Sequence, residues 1–181
     1  MSKEIIYYSN VKAETAYIAG IVEASVTPID ILLSAKHCGI DTDIFWLGDK
    51  GIDSLYAAIL HRLSKYNQID KLELNLEQDP FMPNIPIKKI EDNSTAKAIS
   101  RILLEYSKSD KMLPKTKDFF FTLNWYLGQP LALYRTDMKV LYEYMPELEE
   151  ALRAFYLYII SELVFVEYKG YVLMLVIGSN E

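Results

Sequence analysis

The sequence predicts an α+β fold, on three observations. "LVFVEY" and "YVLMLVI" flank Lys169 and Gly170, two β-rich runs separated by a two-residue turn, which is the signature of a C-terminal β-hairpin. Leu72, Leu74 and Leu76 alternate with Glu73, Asn75 and Glu77, as a half-exposed strand requires. Ile52, Leu55, Tyr56, Ile59, Leu63 and Tyr66 recur at the 3.6-residue spacing of a helix with one buried face. The front half reads β-α-α-β-α-β, and the rear half reads as a helix plus mostly antiparallel strands ending in the hairpin.

The chain has 181 residues, 51% of them hydrophobic, enough to bury one substantial core. We expect a single globular domain over 1–181, with a Pro-rich connector at 78–93 as the boundary if it is bilobed. Prolines at 80, 83 and 86 lack amide donors and hold that connector extended. Its two PxxP spacings match what SH3-type grooves read, although a bridge between two halves needs no partner to explain them.

Element by element, 4–9 ("EIIYYS") is expected as a strand. From Glu14 to Ala24 the apolar residues Tyr17, Ile18, Ile21 and Val22 share one side of a helix. Thr27 is then expected to cap a second helix, with Pro28 at its first position, Asp30 in its first turn and Gly39 just past its end. "DIFWLG" (43–48) reads as a strand. In the rear half, Thr95 to Ser107 reads as a helix with Ile99, Ile102, Leu103 and Tyr106 inward. Phe119, Phe121, Leu123 and Trp125 alternate and read as a strand, followed by "PLALYR" and "MKVLYEY". Pro146 opens a last helix whose stripe is Leu148, Leu152, Phe155, Tyr156 and Ile159. Because residues 171–177 are apolar throughout, the second strand of the hairpin belongs inside the sheet, covered on both faces. A membrane-spanning helix is not expected at this end, since Ser161, Glu162, Glu167, Lys169 and Gly170 interrupt a run that would need roughly 20 apolar residues.

Charge is unevenly spread. Residues 137–181 hold eight acids against three bases, while 88–117 hold eight bases against four acids, in a chain of net charge −6. The sequence pI of about 5.0 speaks against nucleic acid as a partner, because such domains are ordinarily basic. The single cysteine, Cys38, and the lack of a long apolar leader point to the cytoplasm.

Motifs with specific chemistry are absent from the sequence: there is no GxSxG, HExxH or GxGxxG. "LGDKGID" lacks the spacing of a phosphate-binding loop and reads as a strand-to-helix turn with Asp49 as cap. His37 and Cys38 are neighbours on the expected helix, so they project about 100° apart and make no nucleophile–base pair; Cys38 reads as a small buried hydrophobe. His61 reads as exposed.

No catalytic residue, cofactor or metal is assigned, and an enzyme is not expected. The leading expectation is a cytoplasmic protein-binding module, of the immunity type, that neutralises a basic protein partner through an acidic, Tyr-rich C-terminal surface: Tyr142, Glu143, Tyr144, Glu147, Glu149 and Glu150. In composition alone the chain resembles small acidic bacterial toxin-immunity proteins. The alternative is a small-molecule or metal-binding protein, hydrolytic in one version, that uses Asp41, Asp43 and Asp49 at strand ends in the front half. Neither nucleic acid nor membrane is expected as a partner.

Overall fold

The computed structural model describes residues 12–46, 87–137 and 159–179. Within them a five-stranded antiparallel sheet runs in the order β1-β5-β4-β3-β2, with β1 at Cys38–Trp46, β2 at Ile87–Lys89, β3 at Ala132–Asp137, β4 at Ile159–Tyr168 and β5 at Tyr171–Ser179. Strands from either side of the Pro-rich segment thus share one sheet. The class is α+β, as the sequence predicts.

The hairpin is as expected. Tyr168 pairs with Tyr171 across Lys169 and Gly170, and Gly170 sits at φ 78, where a side chain would be strained. A Cβ there would also meet the Trp46 indole nitrogen at 3.3 Å. β5 lies between β1 and β4, and Val172 through Ile177 are all buried. Odd residues of β5 (Leu173, Leu175, Ile177) join a core cluster with Ile44 of β1, Val164 and Val166 of β4, and Leu133 of β3. The other face, with Phe45, Leu163, Phe165, Val172, Met174 and Val176, is buried too. Continuous apolarity of this strand therefore reports cover on both faces. Near the start of β4 the pairing shifts between Ile160 and Glu162, a bulge at Ser161 that leaves Glu162 paired with Ile177.

Among the described residues, three helices, with Cys38 of β1 and Tyr168 of β4, supply the rest of that cluster. α1, Lys12–Ser34, is one continuous helix with Pro28 inside it, not two helices with Thr27 as a cap. Ile18, Val22, Val26, Ile29 and Leu33 form one uninterrupted buried stripe. Burying five such side chains, each worth about 1.5–3 kcal/mol, outweighs the roughly 3 kcal/mol cost of an interior proline. Thr27 Oγ1 donates to the Glu23 carbonyl at 3.0 Å, back along the same helix. After Ser34 the chain turns through His37 at φ 56, so that His37 takes the left-handed position expected of Gly39, which instead lies in β1. That strand begins at Cys38, five residues before the expected start. The Ile40 amide donates to Asp30 Oδ1 at 3.1 Å, tying the strand to the helix it follows.

α2, Thr95–Ser107, has the expected limits. Ser94 caps it, accepting from the Lys97 amide, and it ends at Lys108 with φ 51. Ile99, Ile102 and Leu103 are buried, with Tyr106 partly so. α3, Met112–Leu127, corrects the strand expected around Phe119 to Trp125. Met112, Thr116, Phe119, Phe120, Leu123 and Leu127 are its buried residues, three to four positions apart, whereas Phe121 and Trp125 face away from the core. The alternation was produced by aromatic residues on two opposite sides of one helix. Two further corrections follow: Ile87–Lys89, expected within the connector, pairs with β3, and Ile159, expected to end a helical stripe, opens β4.

The expected strands at 4–9, 71–77 and 138–144, the helices at 52–66 and from Pro146, and the segment 78–86 lie outside the described residues.

Candidate functional site

The outer face of the helical layer carries the feature that folding leaves unexplained. Residues four apart on a helix stack on one side, and in α3 that places Phe121 and Trp125 together, 76% and 80% exposed. Tyr126, the next residue after Trp125, meets Tyr17 of α1 edge-to-face, ring centroids 6.0 Å apart. Tyr17 is itself exposed. Rings of this size cover about 150–250 Å² each when buried, so the four together leave several hundred Å² of aromatic surface open, at the upper end of what a lone soluble chain ordinarily shows. Isolated exposed apolar residues need no explanation; two large rings stacked one turn apart, with an exposed tyrosine pair at the end of the same helix, do.

The exposed side of α3 is basic over its first half. Lys108 follows α2, Lys111 precedes α3, and Lys115 and Lys117 lie on it; all four are exposed. Lys89 and Arg101 pair with Glu91 and Asp92. Among the described residues none of those four lysines makes an ion pair.

A second cluster is internal. Glu162 of β4 has a side chain 6% exposed, and its Oε1 accepts from Arg135 of β3 and, at 3.0 Å, from the hydroxyl of Tyr106 at the end of α2. Its Oε2 has no hydrogen-bond partner. Glu105 stands 3.8 Å from the same guanidinium and is largely exposed. Burial, only partly offset by Arg135 and Tyr106, raises the Glu162 carboxyl above the ordinary carboxylate range. Burial and the adjacent Glu162 carboxylate push the Tyr106 phenol upward as well. The cluster fastens the end of α2 to the sheet.

The expected acidic surface is reduced by this finding. Glu162, counted among its eight acids, is internal and ion-paired, and Glu167 is half-buried and accepts from the Tyr134 hydroxyl at 3.2 Å. Tyr142, Glu143, Tyr144, Glu147, Glu149 and Glu150 lie outside the described residues, as do Asp49 and His61. Asp41 and Asp43 do share one face of β1, two residues apart. Asp43 is buried, and Asp41 Oδ1 accepts from the Thr42 amide at 2.8 Å. Among the described residues no group of three or more His, Cys, Asp or Glu is placed to hold a metal. His37 is exposed while Cys38 is buried, its Sγ 3.3 Å from the Lys36 carbonyl.

The aromatic face is masked in the sequence because Phe119, Phe121, Leu123 and Trp125 also fit a two-residue period. Met112, Thr116, Phe120 and Leu123 carry the helical signal, and laying them inward leaves Phe121 and Trp125 outward. No comparable signal marks the Glu162 cluster, whose members come from three elements.

The architecture defines the chain as an α+β protein with helices packed on an antiparallel sheet. Compared with known protein families, curated proteins and solved structures, it finds no match. α1 is long and apolar enough to cross a membrane by length and composition, and its apolar stripe is packed in the core cluster.

Proposed function

We propose that this chain is a cytoplasmic, non-catalytic protein-binding module that docks its partner through the outer face of α3 and the adjoining part of α1. The observation that carries this reading is the exposure of Phe121 and Trp125, one helical turn apart on a helix whose other side is fully packed. Aromatic residues are enriched where proteins dock, because a flat ring gives much contact area for little lost conformational freedom. The cytoplasmic placement is supported by Cys38, which is buried and in no disulfide. The immunity-type version, with a basic partner held by Tyr142, Glu143, Tyr144, Glu147, Glu149 and Glu150, is supported by the acidity of that segment alone. Withdrawal of Glu162 into the core places it second.

The test compares quantitative capture by the wild-type chain with capture by Phe121→Glu/Trp125→Glu. Each ring is expected to act as an anchor worth on the order of 2 kcal/mol, about thirtyfold in affinity. The partner should therefore be lost from the variant while its melting curve matches wild type. Equal capture by both would reject the reading.

A further inference from the structure

We propose that the outer face of α3 receives an acidic, amphipathic segment of a partner protein, whose apolar side chains cover Phe121 and Trp125 and whose carboxylates meet Lys111, Lys115 and Lys117. This rests on the docking reading above and adds the chemistry of the partner.

Charge on this side of α3 runs against the trend of the whole molecule. In a chain of net charge −6, these three lysines and Lys108 collect around the start of one helix, exposed and without carboxylate partners among the described residues. In the same region Lys89 is paired with Glu91 and Arg101 with Asp92, whereas Lys88 and Lys97, like the four lysines, make no ion pair among the described residues. Lys117, Phe121 and Trp125 lie along one line, and Lys111 and Lys115, themselves one turn apart, flank it on one side. Lys117 stands one turn before Phe121, which stands one turn before Trp125, and Lys111 to Trp125 spans roughly 21 Å at 1.5 Å per residue. A partner helix of about four turns matches that length. It would carry acids toward one end and apolar residues toward the other, the spacing read when an amphipathic helix lies along an apolar face.

Basic and aromatic residues together also suit single-stranded nucleic acid. Here the overall negative charge and the exposed Asp118, three residues after Lys115 and three before Phe121 on the helix, oppose the dense charge of a polyphosphate. A peptide with spaced carboxylates can avoid Asp118. A polyphosphate cannot.

The experiment selects displayed peptides of ~16 residues on the intact chain, with counter-selection on Phe121→Glu/Trp125→Glu, and then measures the affinity of the selected peptides. Net-negative peptides with apolar residues at helical spacing are expected. The charge reversal Lys111→Glu/Lys115→Glu/Lys117→Glu should weaken their binding by at least about tenfold, and raised salt should weaken binding to the wild-type chain. Neutral or basic winners, or a triple reversal that leaves affinity within about twofold, would overturn the proposal while sparing the docking reading. Trp125-dependent binding of an oligothymidine would overturn it in favour of nucleic acid. Failure to select any Trp125-dependent peptide would remove the docking reading and this proposal with it. All these side chains are exposed, so matching melting curves identify a variant whose lost binding is not lost folding.

Discussion

Glu162 shows how a single residue can hold two elements together at a cost. Its Oε1 gathers Arg135 and Tyr106, fixing α2 to β3 and β4, while its Oε2 is buried without a partner. An unsatisfied buried oxygen costs about 1–3 kcal/mol, more when charged, which is comparable to what the two bonds return. The balance is therefore sensitive to ionisation. Burial raises the carboxyl above its ordinary value, so the folded chain binds that proton more tightly than the unfolded chain. The contribution of Glu162 to stability is thus fullest in acid and is lost as pH rises from the ordinary carboxylate range through the raised value. Glu162→Gln removes the titration. Urea denaturation of both chains between about pH 4 and pH 8 should give a stability difference, wild type minus variant, that falls as pH rises. A difference that grows with pH would mean that the ion pair with Arg135 dominates. None of this was legible in the sequence, where Glu162 is one acid among eight and Tyr106 and Arg135 stand far from it.

At the scale of the element, what could be read depended on whether one period or two fitted the same residues. α2 was legible to its limits because Ser94 supplies a capping side chain and Ile99, Ile102 and Leu103 fit only a helix. α3 was not, because Phe119, Phe121, Leu123 and Trp125 satisfy a period of two while Phe119, Leu123 and Leu127 satisfy the helical one. Pro28 misled in another way: proline favours a helix start locally, and the packing of α1 on the sheet overrides that preference. The two descriptions of α3 differ in their consequences. Phe119→Ala should cost about 3–5 kcal/mol by urea denaturation, since the ring is buried in the core, while Phe121→Ala should stay within about 0.5 kcal/mol. On a strand with both rings on one face the two losses would be alike.

For the molecule as a whole, the hairpin carried most of the information. Two flanking residues and a run of seven apolar positions were enough to place β5 inside the sheet, because only a strand covered on both faces tolerates apolar residues at every position. The partner strand β1 and the order of the sheet were not accessible, since pairing between distant segments leaves no local trace. The sheet predicts an order of local stability. Amides of β5, paired on both sides and buried on both faces, should exchange with solvent more slowly than those of the three-residue strand β2, which among the described residues pairs on one side only, by several orders of magnitude in native-state hydrogen exchange. Comparable rates in the two strands would contradict the sheet order.

The position of β5 also bears on how the chain is made. Among the described residues β1 pairs only with β5, and its register joins Cys38 to Ser179 and Trp46 to Tyr171. During synthesis β1 and the apolar stripe of α1 therefore leave the ribosome long before the strand that completes them. Contacts this distant in sequence form slowly, and until they form the nascent chain presents an open, β-branched edge to its surroundings. Its yield in the cell should accordingly depend on chaperones more than the composition of the finished protein would suggest.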